Sequence, residues 1–128
     1  MPYYINKVVG GGFPDIVERA IESLKAEGFS VLTDIDVKAT MKKKLDISFR
    51  DYRILGACNP PLAHEALTAD DMIGTMLPCN VIVQDLGGDL IQVAAINPVI
   101  SMEPAGNPRL NKIAASLTSK LRRVIAAI

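Results

Sequence analysis

The chain has 128 residues, of which 49% are hydrophobic and 22% charged, and its formal net charge at pH 7 is +0. This length fits one domain, predicted over residues 1–128, that can bury a proper core. The chain has no run of about 18 apolar residues to span a membrane. Its beginning, MPYYINKVV, lacks the pattern of a secretory signal. Two cysteines without such a signal predict free thiols in a reducing compartment, so we expect a cytoplasmic protein.

The neutral total conceals segments of opposite charge. Residues 38–53 carry six basic and two acidic side chains, residues 54–108 carry six acidic side chains and no Lys or Arg, and residues 109–128 carry five basic side chains and no acidic one. Overall charge therefore does not predict a nucleic-acid partner. A local basic patch can still bind an anion, and acidic and basic segments of two copies can attract each other.

The first half of the chain alternates strand and helix patterns. YYINKVV predicts a strand, and Pro14 followed by apolar residues at helical spacing predicts a helix that ends near Gly28. FSVLTDIDV predicts a second strand, KATMKKKL a short helix or turn, and YRILGAC a third strand.

In the second half, Asn59 as N-cap and Pro60 as first helical residue predict a helix that runs towards Met76. CNVIVQD and LIQVAAI predict a hairpin around LGGD, because its glycines can adopt positive φ. NPVISMEPAGNP predicts a loop. Asn107 and Pro108 open a long helix with one apolar stripe, formed by Leu110, Ile113, Ala114, Leu117, Leu121, Val124, Ile125 and Ile128. The pattern predicts an α+β fold, a mainly antiparallel sheet of about five strands with helices packed on one face and a long C-terminal helix.

Cys58, His64 and Cys79 are the residues whose chemistry stands out. Cys58 ends the third predicted strand, directly before a helix N-terminus that favours a thiolate. His64, the only histidine, lies about one turn into that helix, and Cys79 begins the next strand. If the two strands pair antiparallel, both cysteines share one sheet edge, whereas a parallel crossover places them at opposite ends.

Three chemistries and one structural role fit these residues. Two cysteines and a histidine suit zinc with a fourth coordination position left open, although the spacing matches no zinc finger or zinc ribbon. The two thiols could carry out redox chemistry, although the sequence has no C-x-x-C motif. Cys58 could also act as a nucleophile with His64 as its base. Alternatively, both cysteines are small buried residues at strand ends and His64 is half exposed on a helix.

Other motifs point to structure rather than catalysis. His64-Glu65 begins like H-E-x-x-H, but Thr68 replaces the second histidine, and Pro78-Cys79 lacks the remaining zinc-deaminase residues. The triple glycine at 10–12 lacks the Lys and Ser/Thr of a P-loop, which favours a tight strand-to-helix turn. The lysines of KATMKKKL have no interleaved aromatic residues for nucleic-acid stacking, which favours a solvated helix face.

TDIDVKATMKKKLDISFRDYRILGACNPPLAHEAL, with LPCNVIV downstream, resembles the bacterial and archaeal family called domain of unknown function 302. The likeness runs nearly end to end and departs at Asp51, where relatives often have Pro, and at Glu65, where other residues, often basic, are usual. The resemblance implies a compact α+β domain, often dimeric, and implies no reaction. It also implies that the family's central motifs include, in this sequence, Lys38, Cys58, Asn59, His64, Cys79 and Asn80.

The sequence therefore predicts a binding or sensing domain whose pocket, for a small molecule or a metal such as zinc, is built around Cys58, His64 and Cys79. Lys38 is a candidate anion contact, and Asn59 and Asn80 complete the predicted binding set. The alternatives are a thiol-dependent enzyme or redox protein that uses Cys58, and a self-associating scaffold without small-molecule chemistry. We expect a homodimer with no membrane partner.

Overall fold

The computed structural model describes residues 2–128 and contains one five-stranded antiparallel sheet together with helices. The strands are β1 (Tyr4–Gly10), β2 (Ser30–Asp36), β3 (Tyr52–Cys58), β4 (Cys79–Gly87) and β5 (Leu90–Ile96). The helices are α1 (Phe13–Ala26), α2 (Val37–Leu45), α3 (Pro60–Ala69), α4 (Pro98–Ser101) and α5 (Pro108–Ala126), with short 3₁₀ segments at Asp71–Met76 and Glu103–Ala105. The predicted α+β class and the long C-terminal helix are confirmed. No helix within residues 2–128 has the length and apolar character needed to cross a membrane.

The strand order across the sheet is β1-β5-β4-β3-β2, and every neighbouring pair is antiparallel. The first strand therefore lies beside the last one, and β2 forms the other edge. β3 and β4 are direct neighbours even though α3 and a 3₁₀ segment separate them along the chain. The segment between the two strands, residues 59–78, contains His64 and is flanked by Cys58 and Cys79.

One hydrophobic core lies between the sheet and the helices. The whole predicted stripe of the C-terminal helix is buried, from Leu110 to Ile128, and α1 adds a second buried face that includes Phe13 and Leu24. The central strands supply alternate buried residues from the other side: Leu55, Ala57, Val81, Val83, Ile91 and Val93. Burial of one large aliphatic side chain contributes about 1.5–3 kcal/mol, so this contact holds the helices against the sheet.

Local signals place the ends of the elements as predicted. Asn59 caps α3, since its side chain accepts a hydrogen bond from the Leu62 N–H at 3.3 Å, and Pro60 is the first helical residue. Gly88 and Asp89 both have φ of 62° in the turn of the β4–β5 hairpin. Positive φ at both central residues is the geometry that matches the twist of paired strands.

Two predicted boundaries are wrong. The helix expected to reach Met76 ends at Ala69, because Asp70 is extended and its carboxylate accepts a hydrogen bond from the Met72 N–H at 3.1 Å. That cap starts the 3₁₀ segment instead of continuing α3. The stretch expected to be a loop after β5 contains α4 and a second 3₁₀ segment. α4 docks on α5, where the Thr118 hydroxyl accepts a hydrogen bond from the Val99 N–H at 3.3 Å.

On the face of the sheet away from the core, which we name the open sheet face, no strand residue is charged, although the Arg50 side chain, from the segment before β3, reaches Gln84 on it. Strand alternation and the pairing register assign to it Tyr4, Asn6, Val8, Thr33, Ile35, Tyr52, Ile54, Gly56, Asn80, Ile82, Gln84, Leu90, Gln92, Ala94 and Ile96. A shallow groove of about 410 Å³ crosses it and is lined by the three tyrosines of the chain, Tyr3, Tyr4 and Tyr52.

Candidate functional site

The two cysteines lie at the same end of the sheet. β3 and β4 pair antiparallel, and the partner of Cys79 in that register is Ala57, the residue before Cys58. The sequence allowed two arrangements. The structure has the antiparallel one, in which both cysteines lie at the same end of the sheet. Both cysteines are free thiols in this structure, Cys58 half-buried and Cys79 buried.

Both sulfur-bearing residues line one cavity of about 250 Å³, which we name the thiol pocket. One wall is the face of α3 that presents Ala63, Ala66 and Leu67, and the segment before β4 forms another wall with Leu77 and Pro78. Leu32, Asn59, Gly74 and Leu117 complete the lining together with Ala57. Apolar side chains predominate, so the pocket is suited to an apolar occupant.

Asn59 anchors the pocket rather than offering a free amide to it. Its side chain caps α3, and its Nδ2 lies 3.3 Å from the position that a Cβ on Gly28 would occupy. Gly28 has φ of 84°, where an L side chain is disfavoured, so this tight turn packs against the cap. Asn59 is buried and fixes where α3 leaves β3.

Burial raises the pKa of the Cys79 thiol from 9.0 to about 11, with a smaller contribution from electrostatic repulsion by the neighbouring Cys58 side chain. At neutral pH Cys79 is therefore a protonated thiol, which is a poor nucleophile and a small hydrophobic group. The structure gives the pocket one inert sulfur on its buried side and one sulfur, that of Cys58, on its accessible side.

His64 does not face this pocket. It lines a different cavity, the cleft between α3 and α5, and its side chain is exposed. The reason is helical geometry, since residues two apart on a helix point about 200° apart, so a buried Ala66 turns His64 away. A nucleophilic Cys58 with His64 as its base is consequently not assembled.

Lys38 and Asn80 also lie away from the two cysteines. Lys38, in α2, makes an ion pair of 3.6 Å with Asp51, beside the start of β3, whereas Cys58 ends that strand. Seven strand residues span about 20 Å, so Lys38 is remote from the pocket. Asn80 follows Cys79 in β4 and therefore points to the opposite face, where it lines the groove of the open sheet face.

The three predicted zinc ligands are not brought together. Across residues 2–128, no group of three or more His, Cys, Asp and Glu side chains is placed to hold a metal ion. Of the six predicted binding residues, the structure brings together Cys58, Asn59 and Cys79.

Several residues of the thiol pocket were missed from sequence. Leu32 reaches it because the register of β2 against β3 shifts between Val31 and Thr33, a bulge that no local motif announced. Leu117 belongs to the stripe of α5 and was predicted as core, which it is, while one side of it borders the cavity.

Comparisons with known proteins agree with this fold. The family model described as "Domain of unknown function DUF302" matches residues 5–128. A crystal structure of an uncharacterized conserved protein DUF302 from Bacillus stearothermophilus is similar, with a TM-score of 0.90 and 28% sequence identity over 98% of this chain and 97% of that one. No curated protein matches the chain.

Proposed function

The chain belongs to the family Domain of unknown function DUF302, and we propose that it is a homodimeric binding domain whose thiol pocket takes a small apolar ligand. The observation that carries the ligand proposal is a cavity of about 250 Å³ with an apolar lining, placed where β3, α3 and β4 converge. An engineered cavity of about 150 Å³ already admits a benzene molecule, so this pocket has room for a substituted ring or a short branched chain.

The sulfur atoms support an apolar or aromatic occupant. Thiols in such a wall are polarizable and make favourable contacts with aromatic edges. The protonated state of Cys79 keeps that wall uncharged at neutral pH, so an apolar ligand displaces no strongly hydrated group. Cys58 lies nearer the solvent and is the sulfur that an entering ligand meets first.

Filling the pocket is expected to weaken ligand binding. Ala63→Met adds a flexible apolar side chain to the α3 wall, and we expect it to weaken binding of toluene at least about tenfold by occupying the same volume. The measurement is a titration of labelled protein with toluene followed by NMR shifts of the backbone amides of α3 and residues 74–79.

The control is the same substitution at an exposed alanine of α5, Ala115→Met, which should bind toluene like the wild type. Cys58→Ser should bind toluene more weakly, since a hydroxyl replaces an apolar sulfur at the wall. The proposal that toluene binds in the thiol pocket would be refuted if toluene shifted amides elsewhere in the chain, or if it shifted the same amides equally in Ala63→Met.

The proposed dimer uses the open sheet face. Interface cores are depleted in charged residues, and none of the five strands contributes a charged residue to this face, so that Arg50, bonded to Gln84, is the charged group named on it. Five strands about 4.8 Å apart and about 23 Å long give a footprint of about 550 Å², before rim side chains are counted. Rim residues such as Tyr3 and Phe49 enlarge this footprint. Stable interfaces bury about 800 Å² on each partner.

Three amide side chains of this face are already hydrogen-bonded within one protomer. Arg50 Nε donates to Gln84 Oε1 at 2.9 Å, Gln84 Nε2 to Gln92 Oε1 at 2.9 Å, and Gln92 Nε2 to Asn6 Oδ1 at 3.2 Å. This chain of amides crosses β4, β5 and β1. Covering these three amides therefore buries groups that already have hydrogen-bond partners, which lowers the cost of removing them from water.

Helix α2 is also uncovered in a single protomer. None of its nine residues is buried, and Leu45, at its end, is 62% exposed. Isolated helices shorter than about 12 residues are marginal in water. A second copy covers both this helix and the open sheet face, and for that reason we favour it as the partner over an unrelated protein.

A charge in the middle of the open sheet face is expected to dissociate the dimer. Ile82→Glu places a carboxylate on the central strand β4, and burying it against a second copy should raise the dimer dissociation constant at least about tenfold. Analytical ultracentrifugation over a concentration series measures this. Met72→Glu, at a methionine that is 69% exposed in a 3₁₀ segment, should leave the dimer unchanged. A wild-type monomer at every concentration would end the proposal, as would a dimer indifferent to Ile82→Glu in folded protein.

A further inference from the structure

A second cavity, the α3–α5 cleft, has a polar rim over an apolar floor. It encloses about 530 Å³, and its floor is formed by Leu62, Ala69 and Ile113. At one end the Asn107 side chain donates to the Ala69 carbonyl at 3.2 Å and ties the two helices together. The cleft uses a different face of α3 from the thiol pocket, so the two cavities are separate.

The two walls of the cleft carry complementary sets of side chains. Arg109, Lys112 and Ser116 recur at helical spacing along α5, and His64, Glu65 and Thr68 face them from α3. The charged groups of Arg109, Lys112 and Glu65 take part in no ion pair among residues 2–128, in contrast to Lys42 with Asp46 or Arg123 with Glu27. Two cations therefore point into a concave space without a partner from the chain itself.

The surroundings of the cations favour a negative group. The first turn of α5 contains Arg109 and no acidic residue. No carboxylate offsets the positive end of the helix dipole there, so the dipole adds to the positive side-chain charges. Residues 109–128 contain no Asp or Glu at all, which leaves Glu65, across the cleft, as the acidic group among the lining residues.

We propose that the α3–α5 cleft binds a small organic acid, whose carboxylate or phosphate lies against Arg109 and Lys112 and whose apolar body rests on Leu62 and Ile113. Glu65 accepts a hydrogen bond from a hydroxyl or amino group on the same ligand, and it disfavours anions that lack such a donor. The proposal does not depend on the occupant of the thiol pocket, because no residue is shared between the two cavities.

The probes that test it are hydroxyisocaproate, which has a carboxylate, a hydroxyl and a branched apolar body, and inorganic phosphate. Each is titrated into labelled protein at constant ionic strength, with NMR shifts of the amides at 64–69 and 109–116 as the readout. Saturable shifts with either probe are expected, and the tighter probe identifies the head group. Isohexanol, which lacks the acid, should not shift these amides.

Lys112→Gln should weaken the tighter probe about tenfold, because it removes one charge-assisted contact. Lys43→Gln is the matched control, a lysine in exposed α2 with no cleft beside it. Equal weakening by the two variants would mean an adventitious ion only and would overturn the proposal. Absence of saturation with both probes, or equal binding of isohexanol, would overturn it too.

Discussion

Gly56→Ala is expected to lower the free energy of unfolding by about 2–3 kcal/mol, although it adds a single methyl group. Gly56 lies in β3 opposite Thr33 of β2, and the Thr33 hydroxyl occupies the space that a Cβ would need. The ring carbon Cγ of Pro78 lies 2.9 Å from the same point. Relief would require both β2 and the segment before β4 to shift, and both border the thiol pocket.

A double-mutant cycle distinguishes this clash from a general intolerance of β3. Thr33→Ala removes the hydroxyl and leaves the Thr33 Cβ position 3.4 Å from the new methyl, an acceptable contact. We therefore expect the double variant Thr33→Ala with Gly56→Ala to recover at least about 1 kcal/mol of the loss. Urea unfolding at one fixed protein concentration is the measurement, since a dimer makes stability depend on concentration. Strictly additive effects of the two substitutions would contradict the clash.

Raising the pH from 8 to 11 is expected to cost the wild type about 2 kcal/mol more stability than it costs a Cys79→Val variant. The folded-state pKa of Cys79 is raised to about 11 from 9.0, because burial disfavours the thiolate. Below pH 9.0 both folded and unfolded chains hold the proton, so the stabilising contribution is fully present. Between the two values the unfolded chain loses the proton first, and stability falls with rising pH.

The comparison with Cys79→Val isolates this one group, because the lysines and tyrosines that also titrate there are common to both proteins. Valine is apolar and similar in size, so it fills the same buried position. Urea titrations at pH 8 and at pH 11 give the free energy of unfolding of each protein. The loss in the wild type minus the loss in Cys79→Val is the contribution of Cys79. Parallel losses in the two proteins would show that Cys79 ionises in the folded state as readily as in the unfolded one.

Features that depend on a few neighbouring residues follow from the local sequence. The apolar stripe of α5 needed a 3.6-residue period, the cap at Asn59 needed a polar residue before Pro60, and the β4–β5 turn needed residues that accept positive φ. Each is a short-range steric or hydrogen-bonding requirement, and each was predicted correctly. The same reasoning fails for α3, where the cap formed by Asp70 competes with continuation of the helix.

Part of the predicted site could have been refined from periodicity alone. Asn80 follows Cys79 in a strand and must point to the other face, and His64 must turn away from a buried Ala66. The other contacts of the site depend on how distant segments of the chain pack together. Whether β3 and β4 are neighbours, and hence whether Cys58 meets Cys79, depends on strand order across the sheet. The bulge that brings Leu32 to the pocket and the meeting of Arg109 with α3 likewise join residues far apart in sequence. Such contacts arise from the burial of one shared core, which no local pattern encodes.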